Sequence, residues 1–208
     1  MINPKLNLNR KTKTINIKAV SVIMLIILAS ILCFIVSHSL NRKPNITPVD
    51  KAAIARKKFI NTVAPYAEDV YKQDKIFASI TLAQAMLESD TGNSKLTKKA
   101  NNLFGIKANK YWTGNTIQMP TKENYNGKEV VEKATFRAYS NWDESIEDHT
   151  NFLKKNSIYA EHGVFSAANY EQQAQAIQAA GYATDPNYAK ELITLIKKYK
   201  LYKYDNVK

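Results

Sequence analysis

Residues 79–107, SITLAQAMLESDTGNSKLTKKANNLFGIK, decide the fold. The first third reads as part of one helix over about 77–89, because Ile80, Ala83, Met86 and Leu87 recur in steps of three and four. Glu88 ends that helix beside an otherwise apolar face. The apolar surroundings disfavour its ionised form, and so does the negative end of the helix dipole. Both raise its pKa, as a general acid working near neutral pH requires. A solvated glutamate at a helix end is the plainer alternative, and these two arguments do not separate them. Gly92 is a stop signal, and 101–106, NNLFGI, reads as a compact loop.

Upstream, Asp50 is suited to cap a helix running through Ile54, Phe59 and Ile60, with Pro65 opening or kinking the next turn and 66–73 continuing it. Downstream the period changes. Val130-Val131 and Thr135-Phe136 are strand formers within 116–138, and Asn126-Gly127 is a hairpin turn signal. Asn141 then caps a helix over about 143–155, with Asp143 and Glu144 in its first turn. Helices are expected at about 169–180 and 187–201, the second with Asp185 as cap and Pro186 at its first position. The expected class is mainly α (α+β) with one small β-hairpin.

The chain has 208 residues, 45% hydrophobic and 23% charged, a globular composition. Net charge is +12, of which Lys5, Arg10, Lys11, Lys13, Lys18, Arg42 and Lys43 supply +7 in an acid-free N-terminal stretch. The bulk charge therefore reports topology first and an acidic partner second. Residues 19–36, AVSVIMLIILASILCFIV, hold no charge. At about 1.5 Å per residue they nearly cross a hydrocarbon core of about 30 Å, and 37–40 extend the span. The expected organisation is a cytoplasmic basic tail (1–18), a transmembrane anchor (19–40), a linker (41–50) and an extracytoplasmic domain (51–204), oriented by the positive-inside rule. A cleaved signal peptide is the alternative, with Ser37-His38-Ser39 as a weak site, but the apolar run is longer than the usual ~7–15 residues. The single cysteine, Cys33, excludes a disulfide within the chain, and Ile31-Leu32 before it are too bulky for a lipoprotein signal.

His38, His149 and His162 have no partner at metal-ligand spacing, so structural or exposed histidines are expected, with no metal or cofactor. A phosphate-binding glycine loop and a nucleophile elbow are both missing from the sequence. No nucleic-acid recognition motif accompanies the basic charge. Carboxylate chemistry remains.

The run at 79–107 resembles the signature of the glucosaminidase domains of glycoside hydrolase family 73. EDHTNFL at 147–153 and AAGYATDPNYAKELI at 179–193 are similar to that family's downstream blocks, in the same order, so the likeness covers about 55–202. The resemblance implies a lysozyme-like α lobe and a β-hairpin lobe with a glycan groove between them. It implies cleavage of the β-1,4 bond after N-acetylglucosamine in peptidoglycan, by an autolysin-type enzyme whose acid is Glu88. Asp90-Thr91 departs from the pattern, since many relatives carry glycine or tryptophan there; that touches the loop rather than the acid.

For the second carboxylate the hairpin offers Glu123, Glu129 and Glu132; Glu123 best matches the family's position, and a substrate acetamido group is a further candidate. The expected groove residues are Asn102, Phe104, Trp112, Tyr139 and Tyr182, with Tyr182 near the cleavage point by resemblance. Core packing is the alternative for Phe104 and Tyr139, and loop support for Asn102. The expected partners are peptidoglycan glycan strands and, through the anchor, the membrane; a membrane-protein partner is left open, and nucleic acid is not expected. Two other functions remain open: a lytic transglycosylase or muramidase on the same lobe, and a wall-binding module without catalysis.

Overall fold

The structure, a computed structural model, describes residues 47–125 and 128–206 together with Ser30 and Cys33; the side chains of 122–130 are not described. The chain divides into two units, Met1–Thr47 and Pro48–Lys208. The expected anchor at 19–40 lies outside the described residues except for Ser30 and Cys33. Among the described residues no helix is long and apolar enough to cross a membrane.

The second unit is mainly helical. Its elements are α1 (Pro48–Asp74), α2 (Ala78–Glu88), α3 (Lys95–Ala100), β1 (Thr116–Tyr125), β2 (Lys128–Arg137), α4 (Trp142–Lys155), α5 (Ser157–Glu161), α6 (Tyr170–Ala179) and α7 (Tyr188–Tyr199). Short 3-10 turns follow α5 and α7, at Val164–Ser166 and Leu201–Asp205.

Helix α2 is the axis of the fold. All its residues from Ala78 to Met86 are buried, so it is packed on every side rather than along one stripe. Helices α1, α6 and α7 and the C-terminal 3-10 turn surround it. Each fully buried large aliphatic side chain, such as Ile80 or Leu82 of α2, contributes about 1.5–3 kcal/mol. The N-terminus of α2 is capped from far along the chain: Asp205 accepts hydrogen bonds from Ser79 N at 2.8 Å and Ser79 Oγ at 2.7 Å. A carboxylate there is favoured by the helix dipole.

Helix α1 buries Phe59, Ile60, Val63, Ala64 and Ala67, a three- and four-residue stripe. Pro65 lies inside this one helix and does not divide it. Its ring removes the partner of the Asn61 carbonyl, and both residues sit on the exposed side of the helix. The helix begins at Pro48, so Asp50 lies in its first turn and not at the cap.

The expected hairpin is present, antiparallel, with Thr116 opposite Arg137 and Tyr125 opposite Lys128. That register leaves Asn126-Gly127 as the connection; those two residues lie outside the described set. Asn141 caps α4 by accepting from Glu144 N at 2.9 Å. One boundary is corrected. Helix α7 starts at Tyr188 with Asn187 at its cap position, not with Asp185 and Pro186. Asp185 Oδ1 instead accepts from Asn187 N at 2.7 Å, closing a turn ahead of the helix. Two short helices, α3 and α5, lie where the sequence has no sustained apolar period.

Candidate active site

Glu88 is the last residue of α2. Its Oε1 accepts a hydrogen bond of 2.9 Å from the hydroxyl of Tyr188, a buried residue of the first turn of α7. That hydroxyl in turn accepts 3.2 Å from Nε2 of Gln84, which is fully buried one turn back on α2. Glu88 as a whole is exposed, yet enough protein surrounds its carboxyl for burial to be the main cause of a raised pKa. The Tyr188 hydrogen bond opposes that rise and the charge of Glu191 adds to it. The group is thus reachable from solvent and keeps its proton to higher pH than a free carboxyl.

Tyr182 follows Gly181, whose φ of +80° lies in the left-handed region that favours glycine. Its half-buried ring stacks on Tyr188 with centroids 5.5 Å apart and meets His149 edge-on at 5.7 Å. Burial raises its phenol well above the ordinary value, and the charge of Glu88 adds to the rise. Tyr182 and Glu88 therefore share one environment.

His149 lies behind Tyr182, fully buried and stacked on Phe104 with centroids 3.9 Å apart. Neither ring nitrogen has a hydrogen-bond partner among the described residues, and burial lowers its pKa to about 3. It is a neutral aromatic plate. In the unfolded chain a histidine titrates near ~6.5. As pH falls below that value the unfolded state takes up a proton that the native state refuses. Stability should then drop by up to about 1.4 kcal/mol per pH unit, until native His149 itself titrates at about 3. Urea unfolding between pH 7 and pH 5 should show this loss, and His149→Phe should flatten it. An equal slope in both proteins would exclude His149 as its source.

The base of the hairpin is clamped to α4. Arg137 Nη1 donates to Asp148 Oδ1 at 2.9 Å and Oδ2 at 2.7 Å. The Tyr139 hydroxyl donates to the same Oδ2 at 2.7 Å. The guanidinium lies 4.5 Å over the ring of half-buried Trp112, which meets Tyr139 edge-on at 5.9 Å. Burial first, and then Asp148, push the Tyr139 phenol far up.

The expected site residues separate into groups. Glu88 and Tyr182 both contact Tyr188, one through a hydrogen bond and the other through a ring stack. Phe104 and Tyr139 are core residues, 5% and 8% exposed. Asn102 is corrected from a sugar contact to a loop support. Its amide donates to the carbonyls of Ile106 and Arg137 at 3.0 and 2.8 Å, and its oxygen accepts from Phe104 N and Ile106 N. Those four bonds use the full capacity of a carboxamide, leaving none for an acetamido group. In the hairpin register, position 123 lies opposite Val130, but the side chains of Glu123 and Glu129 are outside the described residues. Glu132, opposite Thr121, is exposed.

The Asp90-Thr91 departure falls where φ is +50° and +51°, backbone that glycine adopts most freely. Gly92 follows at φ +80°, and a Cβ there would lie 2.9 Å from the ring of Phe59. Beside this loop a cleft of about 680 Å³ is walled by Phe59, Tyr66 and Trp142 and edged by Thr91 and Asn93. Glu88 does not line it, so carboxyl chemistry rather than cavity size marks the candidate site. Sequence reasoning missed Gln84 and Tyr188. The available signals were that Gln84 precedes Glu88 by one helical turn and that Tyr188 lies within the run at 179–193.

The family model described as Glucosaminidase, mannosyl-glycoprotein endo-beta-N-acetylglucosaminidase, matches residues 64–201. The exo-glucosaminidase LytG of Bacillus subtilis is 37% identical over 177 residues, 84% of this chain and 62% of LytG. The peptidoglycan hydrolase FlgJ of Vibrio cholerae is 38% identical over 159 residues, 72% of this chain and 46% of FlgJ. The chain thus spans less than two thirds of both relatives, 62% of LytG and 46% of FlgJ. Among solved structures, the catalytic domain of the Listeria monocytogenes autolysin Auto superposes with a TM-score of 0.66 at 32% identity, over 82% of this chain and 93% of that one. A C-terminally truncated glycoside hydrolase domain of Salmonella typhimurium FlgJ gives 0.58 at 38% identity, over 70% and 97%.

Proposed function

This chain belongs to the glucosaminidase family, and we propose that it is a peptidoglycan hydrolase cutting the β-1,4 bond after N-acetylglucosamine within glycan strands. The observation that carries the reading is Glu88: a solvent-reachable carboxyl at the end of a buried helix, with a raised pKa and one ordered hydroxyl beside it. In this reading Glu88 gives its proton to the glycosidic oxygen as the bond to the anomeric carbon breaks, and Tyr188 then donates to the carboxylate left behind. Water completes the hydrolysis at the anomeric carbon. A hairpin carboxylate, for which Glu123 is our choice, or the substrate's own acetamido group steadies the developing cation. Tyr182, packed against Tyr188, offers a ring face to the sugar.

A second reading, exo-cleavage, is favoured by the name of the relative LytG. Digestion of purified peptidoglycan by the full chain tests both. Long fragments with new reducing N-acetylglucosamine ends are expected, whereas release of single sugars would favour exo-cleavage. Anhydro-muramic ends would assign a lytic transglycosylase instead, and no soluble product at all would leave a wall-binding module.

We also propose that residues 19–40 anchor the chain with its N-terminus in the cytoplasm, which would hold the enzyme at the wall. Support comes from the uncharged run at 19–36 and the five basic residues before it. Protease added to cells stripped of wall should then remove the domain and spare the tail. A domain found intact in the medium would overturn the anchor.

A further inference from the structure

We infer that Gln84 is a positioning residue for the acid: its amide holds the Tyr188 hydroxyl so that the hydroxyl proton points at Glu88. The inference rests on Glu88 being the acid, and it adds a residue that the glycosidic chemistry itself does not require.

Glutamine is seldom fully buried, because its amide must be desolvated. Gln84 nonetheless has no exposed surface. Its Oε1 has no hydrogen-bond partner among the described residues, so the burial is not explained by its carbonyl. What the side chain does make is the 3.2 Å bond from Nε2 to the Tyr188 oxygen. A phenol has one proton to give and lone pairs to receive with. With Gln84 donating into the oxygen, that oxygen's own proton is free for Glu88 Oε1, 2.9 Å away. Gln84 and Glu88 stand one turn apart on α2, and Tyr188 bridges them from α7. The geometry is a three-group relay whose direction is set by its buried end.

Direction matters because the acid changes charge during the reaction. A hydroxyl that donates to Glu88 favours the carboxylate, the state left once the proton has gone. A hydroxyl free to turn away would leave that charge with less support. The other titratable groups facing the carboxyl are Glu191 on α7 and Tyr182 in the loop before it, with neutral His149 behind Tyr182. None of these differs between the variants compared below.

The test is the pH dependence of kcat/KM on peptidoglycan for the full chain and for Gln84→Met, Tyr188→Phe and the double variant. Methionine keeps the length and apolar volume of glutamine and removes the donor. In Gln84→Met the alkaline limb should move up by about 0.3–1 pH unit, the shift expected from weakening one hydrogen bond to the ionised form. The plateau should fall several-fold. Tyr188→Phe should move the limb at least as far, and adding Gln84→Met to it should move it no further. A merely structural glutamine would lower the plateau or the melting temperature without moving the limb, and would do so equally with and without Tyr188→Phe. Either result overturns the inference.

Should Gln84→Met fail to fold, Gln84→Glu takes its place, read as the limb shift it causes in the parent chain minus the limb shift it causes in the Tyr188→Phe chain. That difference cancels the added charge, and a value of zero overturns the inference. Activity retained by Glu88→Gln would defeat the acid assignment instead, and is told apart because it needs no change at Gln84.

Discussion

Glu88→Gln should reduce peptidoglycan lysis by about 10²–10⁴-fold, the contribution typical of a positioned general acid. Glutamine has the shape of glutamate and still offers an oxygen to the Tyr188 hydroxyl, now bound at 2.9 Å to Glu88 Oε1. What it lacks is a proton to give to the leaving oxygen. Folding should survive and can gain slightly, since burial and the charge of Glu191 both work against an ionised Glu88. Zymograms and turbidity clearing measure the first effect, and thermal unfolding the second. Clearing at the rate of the parent chain would remove Glu88 from the acid role. Lost clearing together with a collapsed melting transition would instead indicate damage to α2.

Asp148→Ala should cost about 3 kcal/mol, the lower end of the loss when one partner of a buried ion pair is removed, because this pair is partly exposed. Asp148 and Arg137 are only 19% and 11% exposed. The substitution leaves the guanidinium without its anion and the Tyr139 hydroxyl without its acceptor. Arg137 is the last residue of β2 and Asp148 lies in α4, so the same change loosens the base of the hairpin. The urea midpoint should drop with little change in m-value. Replacing Arg137 with Met and Asp148 with Leu together should be far milder, because no charge is left stranded. A loss below about 1 kcal/mol for Asp148→Ala would mean that the pair behaves like a surface salt bridge. The hairpin would then be held by its other contacts, such as the Arg137 N to Ile106 O bond of 3.0 Å.

The amino-acid sequence determined by itself what depends on neighbours along the chain. The period of Ile80, Ala83, Met86 and Leu87 is enough for α2, the Asn141 side chain for the start of α4, and the strand-forming runs within 116–138 for the hairpin. Each is a local preference acting over a few residues. Glu88 stood out for the same reason, as a lone carboxylate ending an apolar helix, whereas the expectation that it is the acid came from the family resemblance.

Only the tertiary structure decided what depends on residues distant in the chain. Tyr188 reaches Glu88 across a separation of 100 residues and Gln84 across 104. Asp205 caps α2 from 126 residues away. Asn102 looks like a polar groove residue in sequence, and its four bonds to backbone appear only once the loop has closed on Arg137. His149 falls on the buried stripe of α4 with Ile146 and Leu153, but its lowered pKa comes from a burial to which Phe104, stacked on the ring, and Tyr182, edge-on to it, contribute from other parts of the chain. Burial and long-range hydrogen bonds are properties of packed surfaces. They have no period along the chain from which to be read.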